Sequence, residues 1–118
     1  MTLSGISIDR VTITALPAGL DATSERQLTE RFKQYVAGGR LVHAVALDDD
    51  TFDPQSLAFL IRLSCIVCDA GGTICLVSAR TETIGVLAAT RMDRLFSIFA
   101  DVDAAVASLL PFARKLSA

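Results

Sequence analysis

The sequence predicts an α/β fold: a largely parallel sheet of about five strands with about four helices, in the order β-β-α-β-α-β-α-β-α. Three observations carry this. Short apolar runs alternate along the chain with longer stretches at helical spacing. Two of those runs, LVHAVAL at 41–47 and TICLV at 73–77, are almost continuously apolar, the mark of strands covered on both faces. Each of the first two helical stretches ends at a Gly-Gly pair shortly before one of these strands. Strand, helix and strand in that order close by right-handed crossovers into parallel pairs.

The elements follow in order. Residues 6–16 read as strand material, with Ile6, Ile8, Val11, Ile13 and Ala15 alternating with polar residues. Asp9-Arg10 breaks the alternation as a tight hairpin turn would, adding an antiparallel edge, and Pro17-Ala18-Gly19 ends the second strand. Ser24-Glu25-Arg26-Gln27 has the spacing of a capping box and predicts the start of the first helix. Leu28, Phe32, Tyr35 and Val36 then share one face, and Gly38-Gly39 stops the helix, since glycine accepts a left-handed terminus. After the strand at 41–47, Asp48-Asp49-Asp50 makes a turn. Asp53-Pro54 starts the second helix, Asp as cap and Pro where the missing amide would be unpaired anyway. That helix is predicted over 54–70, ending at Gly71-Gly72. Its residues Leu57, Ala58, Phe59, Leu60, Ile61, Leu63, Ile66 and Val67 make it apolar nearly all round, so it should be the most buried helix. A strand at 73–77, a short helix at 83–90 and a strand at 95–99 follow. Asp101 caps a last helix with Ala104, Val106, Leu109 and Leu110 on its apolar side, which Pro111 ends or kinks.

Composition narrows the function. The 118 residues fit one domain, and 52% hydrophobic content is enough for a core without disulfides or metals. A net charge of −2 gives no field for nucleic acid or an anionic membrane surface, and without Trp and with one Tyr there is no base-stacking platform. Arg62, Asp69 and Arg80 interrupt the longest apolar stretches, so no membrane insertion is expected. No basic segment followed by an apolar run opens the chain, which points to the cytoplasm. Three clustered cysteines are not a disulfide framework.

Several segments together resemble the STAS domain family, the fold of anti-sigma-factor antagonists and of sulfate-transporter tails. Pro17-Ala18-Gly19-Leu20-Asp21 resembles the stretch before the family's first helix. Leu57-Ala58-Phe59-Leu60 and Ala70-Gly71-Gly72-Thr73-Ile74-Cys75-Leu76-Val77 resemble the beginning and end of its second helix with the strand that follows. Met92-Asp93-Arg94-Leu95-Phe96-Ser97-Ile98-Phe99 resembles the late turn and last strand, and Asp101-Val102-Asp103-Ala104-Ala105-Val106 the start of the final helix. The resemblance spans residues 11–110 and implies a single STAS-like domain over 1–118. The departure from the family pattern falls at the second helix. Where the family carries Asp-Ser-Ser-Gly, with the first Ser or Thr accepting phosphate, this chain has Asp53-Pro54-Gln55-Ser56. Proline has no hydroxyl, so no phosphorylation is expected at position 54; Ser56 reads as a polar residue of the first turn, with a displaced acceptor as the alternative. The resemblance makes Asp21, Asp53, Pro54, Gln55 and Ser56 the candidate partner-binding residues; the alternative for them is plain helix capping.

Other chemistry weighs less. Cys65-Ile66-Val67-Cys68 has redox spacing, but lies toward the C-terminal end of its helix, where the dipole disfavours a thiolate. With Cys75 on a strand and His43 on another, these read as small apolar core residues rather than a zinc site. Asp48, Asp49, Asp50 and Asp53 have the look of a magnesium site in a receiver domain, and Ser78-Ala79 adds to it. A receiver also needs an acidic pair after its first strand and a Lys after its last, and this chain has neither, so a solvated turn is expected. His43 reads as a sheet residue with a satisfied ring. Gly38-Gly39 and Gly71-Gly72 lack the spacing of phosphate loops. No catalytic constellation or cofactor is expected. Two functions remain open. One is a partner-switching module that binds a kinase-type anti-sigma factor or another STAS protein, with homodimerisation also open. The other is an accessory domain of a transporter, such as a phospholipid-transport ATPase, or a small-ligand-binding STAS domain.

Overall fold

Branched and apolar residues at 11–16, 42–47 and 73–77 form the centre of one five-stranded sheet. In the computed structural model, residues 6–8, 11–16, 21–47 and 54–117 are described, with side chains for 11–16, 21–47 and 57–111. The strands β1 (Ile6–Ile8), β2 (Val11–Leu16), β3 (Val42–Leu47), β4 (Thr73–Val77) and β5 (Ile98–Phe99) lie side by side in chain order. β1 pairs antiparallel with β2, Ile8 opposite Val11; the remaining pairs are parallel, with Leu16 opposite Leu47 and Ala46 opposite Val77. This is the predicted order and the predicted antiparallel edge; the turn residues Asp9 and Arg10 lie outside the described residues. The polar positions of β2 are not on a wet face. Thr12 and Thr14 are buried, as are Val11 and Ile13, because helices cover both sides of the strand.

Two cores result. Helices α1 (Ala22–Ala37), α2 (Pro54–Asp69) and α3 (Thr81–Ala89) pack on one face, over Val45, Leu47, Ile74 and Leu76. Helix α4 (Val102–Ser117) covers the other, where Ala105, Val106 and Leu109 meet Val11, Ile13, Val42, Ala44, Cys75 and Val77.

Helix starts and stops correct the sequence reading in places. Ser24 is not the cap of α1. Asp21 is: its carboxylate accepts the Ser24 amide at 2.7 Å and its carbonyl accepts the Glu25 amide at 2.9 Å, so the helix begins well before the expected box. The stop is as expected, Gly38 at the C-cap and Gly39 in the left-handed region at φ 84°. Helix α3 likewise begins two residues early, with Arg80 at its N-cap. The expected strand at 95–99 shrinks to Ile98–Phe99. A 3-10 turn over Met92–Arg94 precedes it, entered through Arg91 at φ 61°. Met92 and Phe96 are both buried while Leu95 is 69% exposed, a spacing that suits a turn and not a strand. Asp101 caps α4 as predicted, accepting the Ala104 amide at 2.7 Å. The buried residue there is Ala105, with Ala104 exposed. Pro111 does not end this helix. It stands on the exposed side, as does Ala107, whose carbonyl loses its helical donor and can be hydrated instead.

The largest correction concerns α2. Phe59, Leu60, Leu63 and Val67 are fully buried, the largest such set from any helix among the described residues. The apolar residues nevertheless do not all face inward: Ala58 and Ile61 are exposed, Ile61 at 42%. Cys65 and Cys68, expected in the core, are exposed too, and only Cys75 is buried. The reason is geometric: at about 100° per residue, positions 58, 61, 65 and 68 fall opposite the 59, 60, 63 and 67 stripe. The helix stops at Gly71 (φ 86°) and passes through Gly72, where a Cβ would strike the Leu41 carbonyl oxygen and sit 2.8 Å from a Val67 methyl. That close approach lets the Thr73 amide reach the Leu41 carbonyl at 2.8 Å and start β4 beside β3.

Candidate functional site

In a parallel sheet every strand ends on the same edge, and the segments that leave it converge there. Here β2 ends at Leu16, β3 at Leu47 and β4 at Val77, and each leads toward a helix N-terminus. The edge therefore gathers Asp21 at the start of α1, Pro54 at the start of α2 and Arg80 at the start of α3.

Of the predicted partner-binding residues, Asp21 is the one whose side chain is described. It is exposed, and the Ser24 amide, with Ser24's side chain adding to it, holds its carboxyl below the usual range. Pro54 opens α2 as predicted, followed in the first turn by Gln55 and Ser56. The side chains of those three residues lie outside the described residues, and so does Asp53. The acidic turn Asp48-Asp49-Asp50 lies outside them as well. The topology thus brings Asp21 and the 54–56 turn to one sheet edge.

Arg62, Ser78 and Arg80 also stand at or behind this edge, in roles that their places in the sequence did not suggest. Arg62 on α2 reaches Glu25 in the first turn of α1 at 3.9 Å, tying the two helices together behind the edge. A charged residue inside an otherwise apolar helix was the sequence signal for that exposed side. Ser78 is buried; its amide donates to the Phe99 carbonyl at 2.9 Å and its hydroxyl accepts the Arg80 amide at 3.3 Å. Arg80 pairs with Glu82 at 3.9 Å across the first turn of α3. Ser78 is thus taken up in holding the β4–α3 turn.

His43 sits toward the opposite end of β3, near Arg40. Its Nε2 lies 2.8 Å from the Arg40 carbonyl, and its ring stacks on Phe32 with centroids 4.9 Å apart and lies 5.9 Å from Tyr35. The other nitrogen, Nδ1, is buried without a partner, so the ring is satisfied at one atom only. Burial lowers its pKa from 6.5, with the Arg40 carbonyl opposing and the Arg40 charge adding to the shift. The imidazole is remote from the edge where Asp21 and Pro54 meet. The edge gathers the N-terminal ends of α1, α2 and α3.

No family model matches the sequence, and no curated protein matches it. Solved structures do. A STAS domain protein described as an anti-sigma-factor antagonist, from Planctomyces limnophilus, superposes with a TM-score of 0.69 over 96% of this chain and 96% of that one, at 18% identity. The chain has the STAS fold. The crystal structure of a candidate anti-sigma factor antagonist from Thermotoga maritima, TM1081, agrees with TM-score 0.75 and 22% identity over 87% of this chain and 90% of the other. The NMR structure of TM1081 gives 0.76 and 20% over 98% and 90%. The STAS fold therefore persists here at identities where sequence alone leaves few shared positions. Among the described residues, no helix is long and apolar enough to cross a membrane.

Proposed function

We propose that this chain is a non-catalytic regulatory module that docks a kinase-type anti-sigma factor through the edge formed by Asp21 and residues 53–56, and that it does so without a phosphoacceptor at position 54. The observation that carries the reading is that α2 of a STAS fold begins at Pro54. A helix N-terminus is where an added phosphate, with roughly two negative charges, would switch a docking surface. Proline keeps the helix start and deletes the hydroxyl. Ser56 is a poor substitute: two residues further along α2, its helix position lies about 200° around the axis from position 54. Binding is then constitutive, or governed by the amount of either partner.

Affinity capture on the tagged chain in its native cells, read by mass spectrometry, tests the partner class. Recovery of a histidine-kinase-like ATPase, weakened by Gln55→Lys or Asp21→Lys, is the expected result. Recovery of a transporter ATPase in its place would replace this reading with the accessory-domain one.

A further inference from the structure

The three cysteines are sorted by the fold. Cys75 is buried on β4, and burial pushes its thiol up to about 12. Cys65 and Cys68 are both free and both exposed, on the face of α2 turned away from the sheet. Their i, i+3 spacing puts them on one turn, with Cβ atoms about 5–6 Å apart. That distance decides what the pair can do. A disulfide needs Cβ atoms about 3.5–4.5 Å apart, so closing one here would distort the helix. Two sulfurs bridged by a metal need no such approach, since each metal–sulfur bond spans about 2.3 Å. Among the described residues, no group of three or more His, Cys, Asp or Glu side chains could hold a metal ion, so the tetrahedral set that zinc prefers is not assembled.

We infer that Cys65 and Cys68 form a two-thiol site for a soft monovalent cation of the copper(I) type, held in near-linear coordination on the outer face of α2. Thiolate ligands select such ions over harder ones. Binding balances without redox change: each thiol releases a proton to solvent, two copper–sulfur bonds form, and the complex carries one negative charge. The helix C-terminus opposes that charge, but its field is weak and screened at an exposed site, while the cation itself cancels one of the two thiolates. Ile61 and Ala58, exposed on the same face, form an apolar border one and two turns before Cys65. Val67, between the two cysteines, is fully buried and packs against Gly72, so a bridge over 65 and 68 fastens the turn that leads into β4.

The test is an anaerobic titration of the reduced full chain with copper(I) in the presence of excess glutathione, a monothiol competitor. The site predicts one copper per chain retained against glutathione, a higher unfolding temperature in the loaded protein, and loss of both in Cys65→Ser and in Cys68→Ser. These substitutions are at exposed positions, and circular dichroism checks that the fold is kept. Copper stripped by glutathione from the wild type would overturn the assignment. So would retention in the Cys65→Ser/Cys68→Ser double variant, or one copper per two chains with a dimer by size exclusion.

Discussion

His43, the single histidine, is stacked against Phe32 and hydrogen-bonded only to the Arg40 carbonyl. Because its folded pKa lies below 6.5, the unfolded chain takes up a proton first as pH falls. Its contribution is whole above pH 6.5 and is lost as pH drops from there toward the folded value. Urea melts at pH 7.5 and pH 5.5 should therefore show lower stability at the acid value, and His43→Phe should flatten the difference. Equal slopes in the two proteins would place the titration elsewhere. At this scale the sequence was only partly legible. A histidine flanked by apolar neighbours signals burial, but the unpartnered Nδ1 and the aromatic stack arise from α1 crossing β3, which no local pattern encodes. The cysteines misled for a related reason: their type favours burial, and only the helix phase turns them outward.

Helix α2 illustrates how an element is set by more than its composition. Its apolar residues fill nearly every position, so hydrophobicity alone gives no buried side; the sheet beneath selects Phe59, Leu60, Leu63 and Val67. Leu60→Ala should accordingly cost about 2–5 kcal/mol, as for other deleted core leucines. Ile61→Ala, one position along, should stay within about 0.5 kcal/mol. Equal losses in urea melts would mean that the helix is rotated from this orientation. Element order and type were readable from alternation, Gly-Gly stops and Asp caps, because these signals are local. The misplaced boundaries came from competition between local signals. Asp21 outcompeted Ser24 as the cap of α1, and the Met92 and Phe96 anchors replaced most of a strand with a 3-10 turn.

For the whole molecule, parallel pairing is what turns separate sequence motifs into one edge. Asp21 and Pro54 are far apart in the chain, yet both follow strands that end in register, Leu16 opposite Leu47. That convergence was foreseeable once the order β-β-α-β-α-β-α-β-α was read, whereas the Arg62–Glu25 tie between helices was not, since it depends on how α1 and α2 pack. In the proposed function this edge docks its partner without a phosphate switch, and phosphoryl transfer is sensitive to the position of the acceptor. Incubation of the full chain with the anti-sigma-factor kinase it captures and Mg-ATP, followed by intact-mass spectrometry, measures this directly. The expected result is the mass of the unmodified chain together with a persisting complex. A single added phosphate, lost in Ser56→Ala and kept in Thr51→Ala, would contradict it.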